Sequence, residues 1–192
     1  MGMFKERVSG ITNVVRMALG LKLEETAPRL KGELILKAYE GGKLVQEYRH
    51  SNIIVNIAST LIARLLKDSS EPTAGISYLA LGSGNESWDM FDPPAPTTSQ
   101  TLLEKEFWRK QIDMSTFVNP ETGEPTTVCT NIVDYVVTFG EGEGFGPIVE
   151  LALFGGDATS ERNTGTMINW RTIPVINKTA TMTLTVIFRI TT

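Results

Sequence analysis

The sequence predicts a mainly β (α+β) protein: an antiparallel β-sandwich-like domain with one packed helix and an N-terminal helical arm. Three observations carry this expectation. In the closing segment, TATMTLTVIFRI, Met182, Leu184, Val186, Phe188 and Ile190 fall on one side. Thr181, Thr183, Thr185 and Arg189 fall on the other, with Ile187 the one apolar exception. That two-residue period belongs to a strand with one buried face. Slipping it by one residue would expose the apolar row, at about 1.5–3 kcal/mol per side chain, so its register is strongly specified. Residues 51–67 instead place Ile54, Ile57, Ala58, Leu61, Ile62 and Leu65 on one helical stripe. Residues 4–19 put Phe4, Val8, Ile11, Val15 and Ala18 on one face of a second helix.

The 192 residues suit one domain with a small appendage: an arm and linker over 1–29, and a single β-rich domain over 30–192. The arm contains Gly10 and Thr12, weak helix formers, so it needs a surface to pack on. That surface belongs either to its own domain or to a neighbouring subunit. Residues 31–48 form two strands joined at Gly41 and Gly42, residues that supply the positive φ of a tight hairpin. The charges along them mark a solvent-facing side or a sheet edge. Ser51 or Asn52 is a candidate cap for the 51–67 helix. A short strand, 76–81, follows.

Residues 85–99 are a loop, because Pro93, Pro94 and Pro96 block regular ladders. Trp88 and Phe91 within it either fold back on the domain or meet a partner. Residues 103–112 present no clean face. Residues 119–123, NPETG, form a hairpin turn with Gly123 at the positive-φ position. Residues 130–140 are a strand with Val133, Tyr135, Val137 and Phe139 on one side. Residues 140–146 are a flexible, acid-bearing bend that reverses one core strand into the next, the apolar run 148–154. Residues 167–176 are another strand, turned into the last one at Asn177, Lys178 and Thr179.

Charge and motif content exclude several chemistries. Eighteen basic residues against 22 acidic ones, a formal charge of −4, offer no field for collecting nucleic-acid phosphates. No apolar run reaches the length of a spanning helix, and the first 21 residues do not match a secretory signal. The glycine-rich stretch places Phe145 or Pro147 where a dinucleotide fingerprint needs its third glycine, and Glu141 and Glu143 would repel a pyrophosphate. His50 is the one histidine and Cys129 the one cysteine. They support neither a nucleophile–base pair nor an ordinary structural zinc site, and Cys129 forms no intrachain disulfide. Asp89 and Asp92 lack a calcium loop around them. Glu104 with Glu106, and Glu141 with Glu143, read as solvated carboxylates rather than a glycosidase pair. The expectation is a non-enzymatic protein without cofactor or metal.

Taken in order, several segments carry a resemblance: SNIIVNIASTLIARLLKD, ISYLALGSG, a proline/threonine loop, LLEKEFWRK, VDYVVTFGEGEGFGPIVELALFGG and GTMINWRTIPVINKTATMTLTVIFRITT. The series resembles a family of tailed-bacteriophage structural proteins from tail-fibre or baseplate-associated genes. The resemblance covers residues 50–192. It leaves out the first 49 residues, and the loop holding Trp88 is longer than the family's pattern. It implies a virion protein assembled in the bacterial host cytoplasm: a tail fibre, fibre adaptor, or baseplate or neck component. Such a protein acts as a homo-oligomer through contacts with other virion proteins. The candidate partner contacts are Phe4, Val8, Ile11, Val15, Trp88 and Phe91. The alternative is a receptor- or carbohydrate-binding module stacking sugars on Trp88, Phe91 and Trp108.

Overall fold

The computed structural model describes residues 30–67 and 74–192. The expected arm, with Phe4, Val8, Ile11 and Val15, lies outside the described residues. The elements run β1 (Lys31–Glu40), β2 (Lys43–Ile54), α1 (Ala58–Lys67), β3 (Ala74–Gly82), β4 (Glu106–Gln111), β5 (Met114–Val118), β6 (Pro125–Thr126), β7 (Ile132–Phe139), β8 (Gly146–Gly156), β9 (Thr166–Lys178) and β10 (Met182–Thr191). The protein is mainly β, and every strand pair is antiparallel.

Hydrogen bonding links the strands in the order β4-β3-β8-β9-β2-β1-β10-β7-β5-β6. The join at β2 and β9 is narrow, with only Ile53 opposite Trp170 and Ile54 opposite Asn169. On one side of it β2 pairs along β1, and on the other β9 pairs along β8. The two halves bury their apolar faces against each other. One cluster joins Leu34 and Leu36 of β1 and Val186 and Phe188 of β10 to Leu79 of β3 and Leu151 of β8. This is sandwich packing, with β2 passing from one layer into the other.

Local sequence accounts for most elements. Gly41 and Gly42 turn β1 into β2 with φ of 53° and 75°, the two positive values a type I′ hairpin needs. The apolar row of β10 is inward: Leu184, Val186, Phe188 and Ile190 are buried, and the residues between them are half-buried. The 119–123 turn forms around Asn119, whose Oδ1 accepts from the N–H groups of Glu121 and Thr122. The charged residues of β1 do not mark an edge, because β1 lies between β2 and β10. They occupy its outer face, where Glu33 accepts two hydrogen bonds from Arg49, at 2.7 and 3.2 Å.

Several expectations are corrected. The helix begins at Ala58 rather than near residue 51, because Ser51–Ile54 complete β2. The β-branched Ile53 and Ile54 supply the backbone pairs that join the layers, and this tertiary pairing overrides the helical period. Asn52 is therefore a strand residue and not a cap; at the helix start the Ser59 hydroxyl donates to Asn56 O at 2.8 Å. His50 likewise sits inside β2, opposite Leu34.

The bend at 140–146 is neither a hairpin nor loose. β7 and β8 belong to opposite layers, so the bend carries the chain across the sandwich. The Lys178 ammonium, almost fully buried, donates to Gly140 O and Met182 O at 2.9 and 2.7 Å. The Lys110 ammonium donates to Glu143 and to Thr138 O, both at 2.8 Å. Gly142 N also donates to Ala180 O. Burial pushes the Lys178 ammonium below its usual range, against the pull of Glu143 and Glu141. The hydrogen bonds from Lys110 and Gly140 N hold the Glu143 carboxyl below its usual range.

Residues 103–112 lacked a clean face because β4 carries a bulge. Its register on β3 steps from Leu81 opposite Trp108 to Gly82 opposite Glu106, leaving Phe107 as the extra residue. The bulge inverts the alternation and brings Glu106 and Arg109 to one side.

Candidate functional site

β8 is buried on both faces. Leu151 and Leu153 face the main core, while Ala152 and Phe154 join a second cluster with Val55, Leu103, Met167 and Trp170. The proline-rich loop lies over this second cluster and is fastened to β9. Thr172 Oγ1 donates to Pro94 O at 2.7 Å, and Val175 N donates to Met90 O at 2.8 Å.

Two buried polar staples hold the surrounding loops. Glu150, with no exposed surface, accepts from Gly84 N, Glu104 N, Lys105 N and Trp170 Nε1 at 3.0–3.2 Å. Burial pushes its carboxyl above the usual range, and those four donors pull the other way. Arg109 meets Glu106 through two hydrogen bonds, at 2.6 and 2.9 Å, with side chains 2% and 0% exposed. The same guanidinium donates to Thr159 O and Thr164 O, and lies 4.9 Å from the Phe154 ring centre. Glu106 also accepts from Asn163 N at 3.0 Å, fixing a residue with φ of 58°. These groups are committed to one another and to backbone, which is the arrangement of a scaffold.

Two concave features lie beside the elements just described. The first is an apolar groove of about 190 Å³ between α1 and the ends of the layers, lined by Leu30, Ile54, Leu61, Ile62, Leu65 and Ile190 among others. Only part of the helical stripe is covered. Ala58 and Leu61 are buried, whereas Ile62 and Leu65 are 38% and 51% exposed. Tyr135 borders the groove, and burial pushes its phenol above the usual range.

The second is a more polar recess of about 390 Å³ where the layers part. Tyr48 and His50 come from β2, Arg171, Thr172 and Pro174 from β9, and Asp92, Pro93, Ala95 and Pro96 from the loop.

The aromatic residues singled out in the sequence do not converge. Trp88 folds back onto the second cluster, its ring 6.4 Å from that of Trp170. Trp108 packs against the main core. Phe91 stands out at 77% exposed, with its N–H bonded to Asp89. The stacked pair that does exist, Tyr48 on His50 with ring centres 4.5 Å apart, went unnoticed in the sequence. The i, i+2 spacing of two rings on a strand was the available signal.

Among the described residues no group of three or more His, Cys, Asp or Glu lies where it could hold a metal ion. Glu104 is exposed and accepts from Asn85 and Gln100, while Glu106 is committed to Arg109. Cys129 is exposed and free. Among the described residues no helix is long and apolar enough to cross a membrane. No protein-family model matches the chain, and no curated protein matches it.

Proposed function

We propose that this protein is a non-enzymatic structural component of a tailed-bacteriophage particle, in a tail fibre, fibre adaptor, baseplate or neck. It works as a homo-oligomer, residues 4–19 of one copy lying in the apolar groove of a neighbour. The observation that carries the reading is the half-covered face of α1. Ile62 and Leu65 are left in solvent beside Leu30, the residue at which the arm and linker enter the domain.

An apolar groove flanking a helix suits an amphipathic helical ligand, whose anchors recur at helical spacing. Phe4, Val8, Ile11 and Val15 have that spacing. Ten intervening residues, 20–29, span up to about 33–36 Å when extended, enough to reach an adjoining copy. The resemblance of residues 50–192 to phage structural proteins supports reading this contact as one made within a virion. The second reading, sugar stacking on Trp88, Phe91 and Trp108, loses support because two of the three rings are half-buried against separate core clusters and do not converge.

The test uses the full chain, a chain lacking residues 1–29, and a full chain with Leu65→Asp at the half-exposed groove position. Sedimentation should report an oligomer for the first and monomers for the other two, and neither variant should enter particles. Equal mass and normal incorporation for all three would sink the proposal.

A further inference from the structure

A separate feature concerns the recess at the parting of the layers. β2 and β9 are paired at Ile53–Trp170 and Ile54–Asn169 and then diverge, each following its own layer. The next residues along, Asn52 and Arg171, carry three of the five buried side-chain polar atoms that lack a hydrogen-bond partner among the described residues. They are the two amide atoms of Asn52 and Nε of Arg171. Of the two residues only Arg171 lines the recess, and a buried polar atom without a partner on a cavity wall marks a place that takes up another group. Gly32, paired with Asn52, leaves the space that the Asn52 amide fills, since a Cβ there would overlap it.

Arg171 differs from two other arginines that are held inside the described residues. Arg109 is paired with Glu106, and Arg189 with Asp134 at 2.7 and 2.9 Å. Among the described residues Arg171 forms no ion pair or hydrogen bond through its side chain. Its buried Nε lacks an acceptor that a ligand anion would supply, and the planar guanidinium fork matches a carboxylate or phosphate. Across the recess stands the stacked Tyr48–His50 pair, which presents an aromatic face, and Asp92 at the exposed rim can accept from hydroxyls. The walls are preset: Pro93, Pro96 and Pro174 have fixed φ, and the Thr172–Pro94 and Val175–Met90 hydrogen bonds tie the loop to β9. A volume of about 390 Å³ falls in the range of about 300–1,000 Å³ usual for small-ligand sites.

We propose that this recess binds an acidic saccharide, with its oxyanion on Arg171 and the apolar face of its ring against Tyr48 and His50. Carboxylated and phosphorylated sugars share the required chemistry. Asp92 disfavours bare anions and favours those that also carry hydroxyl groups.

The experiment is a titration of the full chain by heteronuclear NMR with galacturonate, glucose 6-phosphate, glucose and inorganic phosphate. At least one acidic sugar should produce saturable shifts at Tyr48, His50 and Arg171. Glucose and inorganic phosphate should each bind at least about tenfold more weakly, since each supplies one of the two contacts. R171M should weaken the acidic sugar by about tenfold or more while leaving thermal stability unchanged or raised, because no partner is lost. H50A, at an exposed ring, should weaken it several-fold without affecting the fold. The proposal is overturned if neither acidic sugar gives saturable shifts there, if R171M binds as the wild type does, or if glucose binds equally well. A phosphate response equal to that of glucose 6-phosphate would also overturn it, as the mark of an anion site without sugar recognition.

Discussion

Replacing Arg109 by Met removes the cation from a fully desolvated pair. Glu106 would retain one hydrogen bond, from Asn163 N, and no counter-charge in a position with no side-chain exposure. Breaking a buried pair from one side costs about 3–5 kcal/mol, because the remaining charge has lost both its partner and water. Two further losses act in the same direction. Thr159 O and Thr164 O lose the charged donor, and the guanidinium leaves the face of Phe154. For a domain of this size a loss of 3–5 kcal/mol corresponds to a Tm drop of about 6–20 °C. Urea and thermal unfolding, followed by tryptophan fluorescence through Trp88 and Trp170, measure it directly. Trypsin supplies a local readout, since Arg162 lies in the loop that Arg109 and Glu106 fasten and should be cut faster in the variant. The double variant E106L/R109M removes both charges and should recover most of the loss, leaving a coupling of several kcal/mol in the cycle. An R109M protein within about 1 kcal/mol of wild type would refute this account of the staple.

Two more outcomes follow from the clamped crossover at 140–146. Lys178→Met leaves Gly140 O and Met182 O without their charged donor; the expected cost is about 2–3 kcal/mol, offset in part by removing a desolvated charge. Amide exchange at Gly142 and Glu143 should accelerate in the same variant. The Glu143 carboxyl is held below its usual range by Lys110 and Gly140 N, so its contribution is present above about pH 4.5 and fades as pH falls through the depressed folded value. In acid unfolding curves E143Q should therefore lose part of the acid-limb slope; a slope identical to that of the wild type would remove Glu143 from the account.

The elements legible in the sequence are those specified by neighbours in the chain. The two-residue period of β10, the Gly41–Gly42 hairpin and the Asn119 turn need no information beyond a few adjacent residues, and each forms where expected. Chain crossings between layers left no local trace. The start of α1 depended on whether Ile53 and Ile54 found partners on β9, 115 or more residues away, and no local period records that. The bulge at Phe107 inverted the faces of β4, so Glu106 and Arg109 looked like scattered charges until the strand pairing placed them together.

The candidate sites divide in the same way. The apolar stripe over 54–65 was visible, but only the packing shows which part of it is covered and which part lines a groove. The recess was invisible, because Tyr48 and His50 lie more than 120 residues from Arg171 and meet it only where the two layers separate. The sequence by itself determined the class of fold and the turns that punctuate it, because those follow from short-range periodicity and backbone preference. Only the tertiary structure decided where charges are paired, where Arg171 meets a cavity, and where the sandwich opens, because those depend on which distant strands lie side by side.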